Sequence, residues 1–222
     1  MFSKFKIATL RWDKKEGDFF LFLSLLKKQN GAILDVGANI GIMTAHLSKN
    51  FPLNRIFAIE PMPDNLSVLN KIVDKEQLKN VKIVPFAVGA QAGKLQMILP
   101  QNGKTKMQGL SHVKCDEIEE WNEGQEFEVE VKTLDELFSS EKIQGIKMDV
   151  ENYEFHALTG AIKILEEQRP IVYTELWDNE NRTKCMELMA QLNYCTKVVV
   201  GKNLVDFDRM IHSNQNFIFL PN

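Results

Sequence analysis

The spacing of apolar and polar positions changes several times along the chain, and each change marks the edge of an element. Phe19-Phe-Leu-Phe-Leu-Ser-Leu-Leu26 is the most apolar run. Held between Asp18 and Lys27, it is far too short to span a bilayer and reads as a helix packed on a sheet. Ala32-Ile-Leu-Asp-Val36 follows as a buried strand that breaks into the glycine turn Gly37-Ala-Asn-Ile-Gly41. Helical spacing then sets in from Ile42 to Lys49, with Ile40, Met43 and Leu47 on one face and Ser48 and Lys49 in water. Arg55-Ile-Phe-Ala-Ile-Glu60 is a second buried strand, and after Pro61 and Pro63 the helical pattern returns from Asp64 to Asp74. Val81 to Val88 alternates as a third strand. Its Pro85 cannot donate a ladder hydrogen bond, which puts this strand at a sheet edge or a bulge.

The βαβ alternation lapses after Gly89. Lys94–Leu99 and Phe127–Lys132 read as strands with one wet face, joined by a polar loop holding Gly103, Gly109, Ser111 and His112. A long loop inside a compact domain usually has a function, and this one is expected to cover a ligand cleft and shape a second substrate's pocket. Thr133 is placed to cap a short helix. Ile143–Val150 then forms the fourth strand, Tyr153 to Gln168 a helix, and Pro170–Leu176 the fifth strand. A helix from Asn181 to Asn193 leads to a sixth strand at Tyr194–Val200 and a seventh at Asn216–Leu220. With a turn signal at Gly201-Lys-Asn203 and no helical pattern between them, the last pair is expected to be antiparallel.

The 222 residues, 44% hydrophobic and 26% charged, suit one domain over 1–222, with a helical extension at 1–30 and an insertion or lid at 89–134. A net charge of −3 argues against a general nucleic-acid surface. Cys115, Cys185 and Cys195 are widely spaced and imply neither a disulfide framework nor a zinc site. Buried thiols in a reducing cytoplasm are expected, and the N-terminus carries no secretion signal.

Strand, glycine turn and helix together open a nucleotide-binding unit, with helical amides facing a ligand rich in acceptors. Gly37 permits the sharp turn, and Gly41 is expected to let the helix approach the strand. A dinucleotide fingerprint requires glycine where Asn39 stands, and a pyrophosphate would be repelled by Asp35. A ligand with an ammonium and a sulfonium, such as S-adenosylmethionine, would instead be held by that carboxylate. Glu60, ending the second strand, can accept both ribose hydroxyls of either an adenosine-type or a nicotinamide ligand, so it points to a ribose and not to one cofactor.

Six blocks in order, I-L-D-V-G-A-N-I-G, F-A-I-E-P-M-P, A-V-G-A-Q-A-G-K-L, K-T-L-D-E-L, I-K-M-D-V-E-N-Y-E with L-T-G-A, and P-I-V-Y-T-E-L, resemble the FkbM-type S-adenosylmethionine-dependent methyltransferases. The resemblance implies a Rossmann-like, seven-stranded class I methyltransferase α/β sheet. Helices would cover both faces, the last strand would be antiparallel, and a β insertion would lie between the third and fourth core strands. It implies S-adenosylmethionine as cofactor and a small-molecule or carbohydrate hydroxyl as acceptor. Asp35, Gly37, Ala38, Asn39 and Gly41 would cradle the methionine part and Glu60 the ribose. Pro61 and Met62 would line the adenine side, Ala87 would flank the ring, and Asp149 would sit near the methyl. Asn152 replaces the family's glycine, which points to a left-handed backbone, an N-cap for the next helix and a side chain added to the pocket floor.

A hydroxyl is a poor nucleophile at neutral pH, so a general base is expected: Asp149 first, then Glu151 and Glu154, with Glu175 at the next strand end. These carboxylates could also hold a divalent cation, although the resemblance implies no metal. His112 could reach the acceptor as base, Lys147 could pair with Glu151 or Glu154, and Trp177 could wall the pocket. His46 and His156 are expected on helix surfaces. A nicotinamide-dependent oxidoreductase and a catalytically idle S-adenosylmethionine-binding protein are the competing readings. The former lacks a Tyr-x-x-x-Lys pair.

Overall fold

Ala32–Val36 (β1) is buried at every residue, as a central parallel strand with both faces covered must be. A computed structural model of the chain describes residues 7, 9–10, 16–28, 30–102, 105–106, 112–113 and 124–222. The remaining strands of the first half are Ile56–Ile59 (β2), Val81–Val84 (β3), Ala87–Val88 (β4), Gly93–Asn102 (β5), Thr105–Lys106 (β6) and His112–Val113 (β7). Gly124–Lys132 (β8), Ile143–Met148 (β9), Ile171–Glu175 (β10), Tyr194–Val200 (β11), Asn203–Asp206 (β12) and Asn216–Pro221 (β13) complete the set.

The main sheet is eight-stranded, in the order β12-β11-β13-β10-β9-β1-β2-β3. β1 pairs in parallel with β2 and β9, so the order reverses beside β1, where an open α/β sheet leaves a crevice at its carboxyl edge. The chain's last strand, β13, inserts between β10 and β11 and runs antiparallel to both, as the spacing predicts. The eighth strand is β12, a short hairpin return from β11 through the turn at Gly201. Its four residues carry too little alternation to stand out in the sequence.

Helices Gly17–Leu25 (α1) and Ile42–Asn50 (α2) cover one face of the sheet. Phe19 and Phe22 of α1 are fully buried, and Phe22 stacks on Tyr173 of β10 at 5.5 Å. Burying two phenylalanines contributes about 3–6 kcal/mol. On α2, Ser48 is buried and hydrogen-bonded to Asn80 rather than wet, and His46 packs edge-on against Phe20 rather than lying on the surface. Pro63–Lys75 (α3) begins with Pro63 in its first turn and buries Leu69. The third strand ends at Val84, before Pro85, and lies at the sheet edge. Ala87–Val88 then leaves the main sheet to pair with β8.

The insertion is a five-stranded sheet built on the antiparallel pair β5 and β8, with β7 added beside β5. Its inner face sets Met97, Val113, Val129 and Val131 against Met62 and Ala87. Gly103, Gly109, Ser111, Cys115, Trp12 and Trp121 lie outside the described residues. Leu134–Leu137 (α4) is capped by the Thr133 hydroxyl, which accepts from the Glu136 amide at 3.0 Å. The helix expected from Tyr153 to Gln168 is interrupted. Glu154–Thr159 (α5) stops at Gly160, and a π-helical turn runs from Ile164 to Gln168. Asp135 accepts from the Lys163 and Ile164 amides at 3.0 Å each, capping the second piece and so offsetting the cost of the break. Glu180–Gln191 (α6) is capped by the Asn179 side chain. Among the described residues no helix is long and apolar enough to cross a membrane.

Candidate functional site

At the carboxyl edge of β1, β2 and β9 lies a narrow slot. The ends of β1 and β2 supply Val36, Gly37, Asn39, Glu60 and Pro61; the loop after β9 supplies Asp149, Val150, Glu151 and Tyr153. Asn65 from α3, Phe86 and Ala87, and Met97 and Val113 from the insertion close it. The insertion thus contributes to the wall of the slot through β5 and β7.

Gly37 takes φ 73° beside Asp149, and a Cβ there would overlap the Asp149 carbonyl, so the strand ends can meet only with glycine at this position. Gly41, at φ 90°, has a different reason from the expected one. A Cβ on it would strike Leu69 of α3, so it brings α2 against that helix and not against the strand. All the amides of the turn are used internally. Gly37 and Ala38 donate to the Ile59 carbonyl at 3.0 and 2.9 Å, Asn39 to Glu60 Oε2 at 2.9 Å, Ile40 to the Asn39 side chain at 2.7 Å and Gly41 to Ala38 at 2.8 Å. The turn itself therefore offers no amide to an acceptor-rich ligand; that expectation concerned the helical amides that follow it. The polar group facing the slot here is an acceptor, the Glu60 carboxylate, and that suits ligand hydroxyls.

Glu60 is held by the Asn39 amide, by the Met62 amide at 2.9 Å and by Asn65 Nδ2 at 3.2 Å, with 4% of its surface exposed. Burial pushes its carboxyl above the usual carboxylate range against the pull of those donors. Asp35 is placed quite differently. It is fully buried, accepts from Thr44 Oγ1 at 2.5 Å and lies 3.4 Å from Lys147 Nζ. Register explains the pairing, since Asp35 and Lys147 are Cα partners on β1 and β9. Lys147 also donates to the Gly37 carbonyl at 3.1 Å and stands 3.7 Å from Asp149. The ammonium beside Asp35 thus belongs to the protein, and Lys147 does not pair with Glu151 or Glu154 as expected.

The loop after β9 runs through two left-handed residues, Glu151 at φ 51° and Asn152 at φ 71°. Asn152 adopts the expected backbone, but its side chain accepts from Asn179 at 2.7 Å, caps no helix and stays out of the slot. Glu154 is not a free carboxylate either. It accepts from the Val150 amide at 3.0 Å and from Asn181 at 2.8 Å, tying the loop to α6. Glu151 faces the slot, and burial beside Asp149, Glu154 and Glu175 pushes its carboxyl up to about 8.

Residues 35–211 match the Methyltransferase FkbM domain. The chain belongs to the FkbM methyltransferase family. Methyltransferase sdnD of Sordaria araneosa is 25% identical over 174 residues, 67% of each chain. Methyltransferase 1 of Beauveria bassiana is 24% identical over 142 residues, 58% of this chain and 57% of that protein. A solved Methyltransferase FkbM from Methylobacillus flagellatus KT superposes over 88% of this chain and 45% of its own, with TM-score 0.58 and 17% identity. An SAM-dependent O-methyltransferase from Thermotoga maritima superposes over 93% of this chain and 64% of its own, with TM-score 0.53 and 15% identity. At those identities the likeness concerns the fold, and the chain spans less than half of the Methylobacillus one.

In this FkbM-family chain, Gly37, Asn39, Glu60, Pro61, Ala87, Asp149 and Glu151 come together around the slot. Ala38 and Gly41 do not line it: Ala38 packs with Ala58 and Leu69, beneath the turn. Met62 sits beside the slot in the insertion's apolar cluster and reaches Glu60 through its amide. His112 is a correction. It is buried on β7, where side chains alternate, and its neighbour Val113 is the one on the slot wall. Trp177 does not line the slot, and its carbonyl accepts from Arg182 at 3.0 Å. Among the described residues no group of three or more His, Cys, Asp or Glu side chains is arranged to hold a metal ion. Asn65, Phe86, Met97 and Tyr153 were not expected in the slot. Asn65 carries a signal in retrospect, a polar residue in the first turn of the helix after E-P-M-P. The other three depend on how the insertion folds over the sheet.

Proposed function

We propose that this chain is an S-adenosylmethionine-dependent O-methyltransferase acting on a hydroxyl of a small molecule or sugar precursor. The observation that carries this reading is the Glu60 carboxylate at the end of β2, presented to a slot whose turn amides are already satisfied. Ribose hydroxyls are donors and fit an acceptor, whereas a pyrophosphate needs donors and finds the turn amides already satisfied. Glu60 would serve the ribose of either cofactor, so the case against the nicotinamide alternative rests on those spent amides and on Asn39 in place of the middle glycine.

The residues fit the donor as follows. Glu60 and Asn65 would hold the ribose, Pro61, Phe86, Ala87 and Met97 would enclose the adenine, and Gly37, Asn39 and Asp149 would lie along the methionine part. Bound there, S-adenosylmethionine supplies a methyl group on a sulfonium, open to in-line displacement by oxygen. The chain's part is to align the acceptor hydroxyl, exclude water and take its proton. Glu151 is the base we favour, because it faces the slot with a carboxyl pushed up to about 8, close to the range in which a base both accepts a proton and is available. Asp149, whose carboxylate lies 3.7 Å from Lys147, would orient the acceptor. Isothermal titration with S-adenosylhomocysteine and the nicotinamide dinucleotides tests the reading. Saturable micromolar binding of the former alone is expected; binding of a dinucleotide alone would overturn it.

A further inference from the structure

Glu151 enters the slot from a turn that a chain does not adopt readily. It and Asn152 are consecutive residues in the left-handed region, at φ 51° and 71°, and neither is a glycine. A side chain makes that backbone costly, so such a pair persists only where its surroundings impose it. The direction in which Glu151 points is set by this turn, because φ and ψ decide where its Cβ leaves the chain.

Hydrogen bonds from α6 impose the turn. Glu154, 2% exposed, closes the loop on itself by accepting from the Val150 amide at 3.0 Å, so one bond spans Glu151 and Asn152. Asn181, in the first turn of α6, holds that carboxylate in place. Its Nδ2 donates to Glu154 Oε2 at 2.8 Å, and its Oδ1 accepts from the Phe155 amide at 3.1 Å. Asn179, the cap of α6, uses both ends of its side chain as well: Nδ2 donates to Asn152 Oδ1 at 2.7 Å, and Oδ1 accepts from the Arg182 amide at 3.3 Å. The start of α6 is itself anchored. Arg182, 6% exposed, donates to the Leu176 and Trp177 carbonyls at 2.8 and 3.0 Å, tying the helix to the end of β10, which pairs in parallel with β9. The turn that carries Glu151 is thus gripped from outside, by a helix that contributes none of the slot's described lining residues.

Building on the methyltransferase reading and on Glu151 as its base, we propose that Asn181 and Asn179 are positioning residues for methyl transfer: from the first turn of α6 they lock the left-handed turn at Glu151 and Asn152 and so aim the base into the slot. Neither asparagine lines the slot; both act through the loop after β9.

The test reads Glu151 itself and needs no acceptor. The full chain, labelled at its glutamate carboxyls for carbon NMR, is titrated with base, and the Glu151 signal is assigned by its loss in Glu151→Gln. In the parent, burial beside Asp149, Glu154 and Glu175, opposed by Lys147, pushes the carboxyl up to about 8, and the midpoint is expected there. Asn181→Ala removes both bonds to the loop, whereas Asn179→Ser keeps a cap for α6 and is too short to reach Asn152. In each, Glu151 is free to turn toward water and its midpoint should fall to about 7 or lower, while S-adenosylhomocysteine affinity stays within about threefold of the parent. Asn152→Gly, which accepts the left-handed backbone but loses the bond to Asn179, should lower the midpoint as Asn179→Ser does, and combining the two should add nothing. A folded Asn181→Ala or Asn179→Ser protein that keeps the parental midpoint overturns the proposal, because the asparagines would then only join α6 to the loop, a role that a lowered melting temperature alone would report. Should Asn181→Ala fail to fold, Asn179→Ser and Asn152→Gly decide by the same criterion. A parent midpoint near the ordinary glutamate value also overturns it, since Glu151 would already face water, and so does a loss of S-adenosylhomocysteine affinity beyond about tenfold, which would place the asparagines in the service of the donor. Those outcomes leave binding of S-adenosylhomocysteine by the parent, and with it the methyltransferase reading, intact; failure of the parent to bind it removes both.

Discussion

Asp35 and Glu60 occupy similar places in the sequence, each an acid at the end of an apolar strand, and the structure gives them opposite work. Asp35 precedes the last residue of β1 and points under α2, where Thr44 and Lys147 enclose it. Glu60 follows the last residue of β2, and its carboxylate reaches the slot while two backbone amides and Asn65 steady it. Two positions relative to the strand end, from one before its last residue to one after it, decide whether a carboxylate becomes part of the core or part of the site. The two positions share a parity, so it is not the face of the strand but the end of the ladder that separates them: Asp35 is still paired within the sheet, and Glu60, past the last paired residue, is free to turn into the crevice.

If that contrast holds, the largest effects belong to the buried pair. Lys147→Met leaves Asp35 charged and unpaired in the core and should cost about 3–5 kcal/mol in chemical denaturation. The double variant Asp35→Asn, Lys147→Met should recover much of the loss, since neither charge is stranded. A Lys147→Met protein as stable as its parent would mean that the pair is not structural. Next in size is Glu151→Gln, which should lower methyl transfer about a hundredfold and abolish its rise with pH. With a carboxyl near 8, the parent's base is mostly protonated at neutrality, so its rate should climb as pH passes through about 8. A variant that keeps the parental profile would exclude Glu151 as base.

The smallest effect concerns stability against pH. Glu151 and Glu154 have folded-state carboxyls raised to about 8 and about 7, above their unfolded value of 4.5, so the folded chain binds more protons between those limits. The stability these groups contribute is fully present below 4.5 and is lost as pH rises through about 7 to 8. The melting temperature should therefore fall across that window, and Glu151→Gln should flatten part of the fall. Thermal melts of parent and variant at matched ionic strength measure it. A parent whose melting temperature rises over the same window contradicts the assignment.

Most of the architecture was legible because periodicity reports burial. The parallel strands read as apolar runs, Pro85 announced an edge, and the gap before β13 implied antiparallel closure. The candidate site was legible only as far as main-chain position governs it. Gly37, Asn39, Glu60 and Asp149 are where the strand ends put them. What failed depended on contacts distant in sequence. The partner of Gly41 is Leu69, the partner of Asn152 is Asn179, and the choice between His112 and Val113 turns on one step of strand parity. The break at Gly160 was hidden because its compensating cap, Asp135, lies on another element.

The central claim is that the slot around Glu60 is the donor site. Titration of the parent and Glu60→Ala with S-adenosylhomocysteine, with circular dichroism to verify the fold, tests it directly. The account predicts micromolar binding to the parent and a loss of about tenfold to several hundredfold in the variant, from two charge-assisted hydrogen bonds at ~1.5–3 kcal/mol each, without unfolding. An affinity within about twofold of the parent would show that Glu60 does not touch the ribose, and the donor would have to bind elsewhere.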